Sequence, residues 1–192
     1  MERAIRAACD IADDDEVIIV GSQAILGQYP DAPADLTESD EVDLFPKNQP
    51  SRAMLVDGAI GEDSGFYREF GFYVHGVGPE TATLPPDWES RLIPVRNRNT
   101  RLCTGWYLDA HDPAASKLAA GREKDLEFVA ALLRHGYVQP DRLRKLAAAL
   151  PIQSPEARGL LDARLERLVR QVSIDRRQKL DVTKRAPRRR QK

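Results

Sequence analysis

The sequence predicts an α/β (α+β) chain, with a mixed sheet and flanking helices followed by a C-terminal helical bundle. Three observations lead there. Val17-Ile18-Ile19-Val20 is an unbroken β-branched run, Glu41-Val42-Asp43-Leu44-Phe45 alternates polar with apolar, and leucines recur at helical spacing from Leu126 to Leu168.

The elements follow in chain order. Ile5, Ala8, Cys9 and Ala12 share one helical face, which predicts a short N-terminal helix over 3–12. Glu16–Val20 reads as a buried strand ending at Gly21-Ser22, and Gln23-Ala24-Ile25-Leu26 reads as the first turn of a helix. Residues 29–40 carry Pro30, Asp31, Pro33 and Asp35, which marks a loop. The alternation at 41–45 suits a strand with one wet face and one buried face. A helix fits 50–60, and strands fit Phe72–Val77, Arg91–Val95 and Leu102–Tyr107.

Helices fill the rest. Asp112-Pro113 reads as an N-cap followed by a first-turn proline, and Gly121 closes that helix. A second helix carries Leu126, Val129, Ala130 and Leu133, and stops near Gly136. A third starts at Pro140, and a fourth at Ser154-Pro155 with Leu161, Leu165, Leu168 and Val172 aligned. Each stripe is read as core packing. The chain divides into a core at 1–108, a helical region at 109–175 and a basic tail at 176–192 that is expected to be disordered.

The bulk numbers narrow the class. At 192 residues, 42% hydrophobic and 31% charged, the chain can bury a core without staples. No apolar run is long enough to cross a bilayer, and Met1-Glu2-Arg3-Ala4 lacks a signal core, so a cytosolic protein without membrane contact is expected. Cys9 and Cys103 have neither metal nor redox spacing. The net charge of −1 hides an asymmetry: residues 1–63 hold fifteen acids against four bases, and residues 64–192 hold fifteen against twenty-five. An acidic front suits a cation, and a basic back suits phosphates or nucleic acid.

Three pieces carry chemistry. Gly21-Ser22 lies at a strand-to-helix turn, where free N–H groups, a close backbone approach and a hydroxyl suit an anionic phosphate group. Glu41 and Asp43 lie two apart on a strand, so both carboxylates share a face and can hold Mg²⁺. Lys117 opens a helical segment reaching Asp125 and can offset charge on a triphosphate. Asp125 also has a plainer reading, as a structural partner of Arg122 one turn away. His75, His111 and His135 share no spacing and are read as surface or core residues. Trp88 and Trp106 are read as buried, with base stacking as the alternative.

This order of Gly-Ser, acid pair and later lysine resembles the DNA polymerase β-like minimal nucleotidyltransferase superfamily. The stretch Leu108 to Leu126, with its Lys117-Leu118-Ala119-Ala120-Gly121-Arg122-Glu123-Lys124-Asp125 segment, is similar to the AbiEii/MenT-type nucleotidyltransferase toxins. The resemblance spans about 16–135. It implies a nucleotidyltransferase fold, a nucleoside triphosphate donor, Mg²⁺ as cofactor, a tRNA 3′ end as acceptor and a cognate antitoxin as partner. For residues, it implies Gly21 and Ser22 at the phosphates, Glu41 and Asp43 on the metal, Lys117 on the triphosphate and Asp125 as a further active-site acid. The chain departs from the pattern in its longer spacer after Gly-Ser, in Glu41 as the first acid, and in His75 where many relatives carry a third acid. A non-catalytic nucleotide- or partner-binding module of the same fold, or transfer to a small molecule such as an antibiotic, are the rival readings.

Overall fold

The computed structural model describes residues 1–185. Five strands, β1 (Glu16–Ile19), β2 (Glu41–Pro46), β3 (Tyr73–Gly76), β4 (Ile93–Val95) and β5 (Thr104–Tyr107), form one sheet in the order β3-β2-β1-β5-β4. The β2–β3 and β1–β5 pairs are parallel, and the β1–β2 and β4–β5 pairs are antiparallel, so the sheet is mixed.

One sheet face is apolar because alternate residues point to it. Val17, Ile19, Val42, Leu44 and Tyr107 are at most 2% exposed. Helices α1 (Glu2–Ala12) and α3 (Ala53–Ile60) cover this face, with Ile5, Ala8, Val56 and Ile60 in the same cluster. Burying a side chain of this size contributes about 1.5–3 kcal/mol. The opposite face carries Glu41, Asp43 and His75.

The expected loop at 29–40 contains one short helix, α2 (Ala34–Thr37), and α4 (Gly65–Phe70) precedes β3. The loop has a structural role. Tyr29 stacks on Tyr137 with ring centroids 4.0 Å apart, Leu36 is buried among the C-terminal helices, and Gln23 donates to the Ser39 carbonyl at 2.7 Å. The long spacer thereby ties the sheet to the helices.

Those helices are α5 (His111–Ala120), α6 (Glu123–His135), α7 (Pro140–Ala149) and α8 (Pro155–Arg185). They enclose a second apolar cluster that includes Leu118, Leu132, Leu143 and Leu161, all fully buried. The expected stops hold, since Gly121 and Gly136 close α5 and α6 at positive φ. Asp112 is a correction. It lies inside the first turn of α5 rather than at its cap, is fully buried, and takes a two-pronged bond from Arg91 at 2.7 and 3.1 Å. Tertiary pairing has overridden the local capping preference. The tail boundary drawn at 176 falls inside α8, which continues to Arg185, and the remainder of that tail lies outside the described residues. No described helix is long and apolar enough to cross a membrane.

Candidate active site

Alternation along β2 sends Glu41 and Asp43 to one side and Val42 and Leu44 to the other. The parallel neighbour β3 sets His75 opposite Asp43 and Tyr73 opposite Glu41. His75 Nδ1 is 2.8 Å from Glu41 Oε1 and 3.1 Å from Asp43 Oδ1. Ligand atoms of the three residues lie within 4.8 Å of one another, and all three side chains reach solvent.

The electrostatics follow from this crowding. Partial burial opposes protonation of His75. The Asp43 hydrogen bond and the charges of Asp43, Glu41 and Asp57 outweigh it and raise its pKa above 6.5. A divalent cation satisfies the same two carboxylates. Oxygen ligands suit Mg²⁺, and an imidazole beside them also suits Mn²⁺ and its neighbours. The donor set therefore fits a metal. His75, read from sequence as a surface or core residue, belongs to the cluster. Its signal was its place on the strand where relatives carry a third acid.

Gly21 meets two demands. The Val20 N–H donates to the Asp43 carbonyl at 2.9 Å, which sets the next residue against the Asp43 side chain. Gly21 has φ 67°, and a Cβ there would collide with Asp43 Oδ2. Only glycine accepts both the backbone angle and the contact. Ser22 then begins the expected helical turn, which is a 3₁₀ helix, Ser22–Gly27. Its first N–H groups still lack intrahelical partners, and they begin beside the acid pair.

Lys117 and Asp125 come together from α5 and α6. Lys117 Nζ is 3.0 Å from Asp125 Oδ1, and Arg122 Nε is 2.6 Å from Asp125 Oδ2. Asp125 is fully buried, while Arg122 is 65% exposed. Burial alone would raise the Asp125 pKa. Hydrogen bonds from Arg122 and Lys117 reverse that and lower it below 3.8. The charge on Arg122 is stabilised first by its hydrogen bond to Asp125 and, at longer range, by the charges of Asp43 and Glu41. Asp125 is outside the Glu41–Asp43–His75 cluster. Both its oxygens are engaged by cations that it orients. Arg122 was legible only as a partner of Asp125. Its approach to β2 depends on how the helices pack.

A cleft of about 490 Å³ opens beside Glu41 and His75, and Asp57, Glu62, Asp63 and Tyr73 line it. Its carboxylates make the approach from the β3 side acidic. Arg122 is the cation whose charge acts on the acid pair, and Lys117 lies against Asp125 and over the Phe128 ring.

A family model described as "Nucleotidyltransferase of unknown function (DUF6036)" matches residues 2–172. No curated protein and no solved structure matches the chain.

Proposed function

The chain belongs to this nucleotidyltransferase family, and on that premise we propose that it moves a nucleotide from a nucleoside triphosphate to an acceptor hydroxyl with a divalent metal, Mg²⁺ first among them. The observation that carries the reading is the Glu41–Asp43–His75 cluster set against Gly21 at the turn of β1. Glu41 and Asp43 would hold the metal, with His75 as a third ligand or as the group that orients them. A bound metal supplies neutralisation of charge on the reacting phosphate. Gly21 and the N–H groups at Ser22 receive phosphate oxygens, and Lys117 and Arg122 offset the charge of the leaving pyrophosphate. Asp125 holds both cations in place from below.

For the acceptor, the tRNA 3′ end is the first reading. It is supported by the similarity of residues 108–130 to the toxin group and by the basic balance of residues 64–192. On that reading the protein is a cytosolic toxin with a cognate antitoxin. The acidic cleft favours a second reading, a cationic small molecule such as an amino sugar, because four carboxylates at the approach repel a phosphate backbone and attract ammonium groups. Incubation with Mg²⁺, each α-labelled triphosphate, and either total tRNA or an aminoglycoside separates them. Label on tRNA, lost in Asp43→Ala, supports the first reading. Label on the amino sugar alone removes the tRNA acceptor. Nucleotide binding without any product, unchanged in Asp43→Ala, removes the enzyme and leaves a binding module.

A further inference from the structure

The metal-facing side of the sheet does not end at Asp43. Phe45 follows two residues later on β2, so it points to the same side, about 7 Å further along the strand. Ile18 pairs with Phe45 on one side and with Trp106 on the other, so Phe45, Ile18 and Trp106 stand in a row across three strands. They floor a pocket of about 500 Å³, walled by Trp88 and Leu92 and edged by Lys47. Ile18 and Phe45 are buried, and both tryptophans stay partly exposed. Trp106 is held by its indole N–H, which donates to Glu16 at 2.8 Å, and Lys47 Nζ lies 4.7 Å from the centre of its ring.

We propose that this pocket seats the base of the donor nucleotide. The inference rests on the transferase reading above and adds the position of the base. Three physical points converge on it. First, β2 orders its groups along one line. Glu41 and Asp43 lie beside Gly21, where phosphates are received, and the apolar floor begins one side chain beyond Asp43. A nucleotide with its α-phosphate at Asp43 and its outer phosphates at Gly21 and Ser22 has room to extend its base away from Gly21, along β2. Second, the walls are of the right kind. A base is a flat ring with a faintly polar edge, and aromatic and aliphatic walls with Lys47 and Glu89 at the rim recognise it by stacking and edge contact. Third, the acidic cleft on the β3 side lies across the acid pair from β1 and β5, so acceptor and base have separate approaches.

The test compares the full chain binding each of the four nucleoside triphosphates with its binding of inorganic tripolyphosphate, in Mg²⁺, by calorimetry and tryptophan emission. At least one nucleoside triphosphate is expected to quench emission saturably and to bind about tenfold or more tighter than tripolyphosphate. Trp88→Ala should remove about that factor for the nucleotide and leave tripolyphosphate unchanged. Trp88→Phe should restore most of the affinity, and a thermal unfolding scan shows that each variant is folded. Equal affinity for nucleotide and tripolyphosphate, or nucleotide affinity unmoved by both Trp88→Ala and Trp106→Phe, overturns the pocket assignment and leaves the transferase reading intact. Base-dependent binding without transfer to any acceptor overturns the transferase reading and keeps the pocket. Binding of neither probe overturns both.

Discussion

In the sheet, Glu41 and Asp43 keep 34% and 24% of their side chains exposed and share a single histidine. In the helical region, Asp125 and Asp112 are fully buried, and cations occupy both oxygens of each. Asp109 is 8% exposed and is bonded by His111 at 2.8 Å and Arg142 at 2.9 Å. One residue type thus serves two ends. A buried carboxylate without a partner is too costly to persist, so each helical acid is held by its cations. The sheet acids stay partly open to water, and they keep lone pairs for a cation. Burial and partner count separate the acids that can bind a metal from those that hold the frame, even where a sequence pattern groups them.

The largest test of that contrast is Asp43→Asn. We expect transfer to fall about a thousandfold, a loss near 4 kcal/mol of barrier lowering. Its unfolding midpoint should hold or rise, because the charge crowding with Glu41 is relieved. Measured turnover and a urea melt on the same preparation check both halves. A large loss of stability would break the distinction.

Asp125→Ala is expected to do the reverse first. It leaves Lys117 and Arg122 without their shared anchor, and should cost about 3 kcal/mol, a fall in Tm of roughly 6–12 °C. Transfer should fall as well, because Lys117 loses its position. Differential scanning calorimetry checks it, and an unchanged Tm would count Asp125 among the reactive acids instead.

Acid titration is the next lever. Burial opposes ionisation of Asp109, but bonds from His111 and the charge of Arg142 hold its pKa to about 2, below the unfolded value near 3.9. A depressed carboxylate stabilises the fold above its unfolded pKa and loses that stabilisation as pH falls through the folded one. Stability should therefore drop by about 2 kcal/mol between roughly pH 4 and pH 2 from this group. The slope of the urea midpoint against pH should be shallower in Asp109→Asn.

The smallest expected destabilisation is that of Gly21→Ala. The positive φ costs about 1–2 kcal/mol, and the new Cβ must displace the Asp43 carboxylate. Transfer should fall further than stability does. Turnover and a thermal melt together decide whether the glycine serves the backbone or the acid.

Much of this arrangement was legible from particular residues. The β-branched run at 17–20 and the alternation at 41–45 announced β1 and β2, because burial on two faces or on one leaves those patterns. Gly21, Glu41 and Asp43 followed from spacing, since side chains two apart on a strand share a face. Asp125 was legible as a partner of Arg122 because three residues is nearly one helical turn. His75 was legible as the residue standing where the resembled superfamily carries a third acid, but not as a partner of the pair. No local pattern says which strand lies beside β2, and it is the parallel β2–β3 register that delivers its ring to both acids. Asp112 misled for a similar reason. Asp-Pro is a good cap locally, and only the fold brings Arg91 within 2.7 Å of it.

By itself, then, the sequence determined which segments are strands and helices and which face of β2 is polar, because periodicity and burial act within a few residues. It also determined that a glycine precedes Ser22 at the turn. Only the tertiary structure decided that His75 joins the acid pair, that Lys117 and Arg122 converge on a buried Asp125, and that Phe45, Ile18 and Trp106 floor a pocket one step beyond Asp43. Those facts depend on strand order, register and helix packing. Contacts among residues far apart in the chain set these, and no local run of residues encodes them.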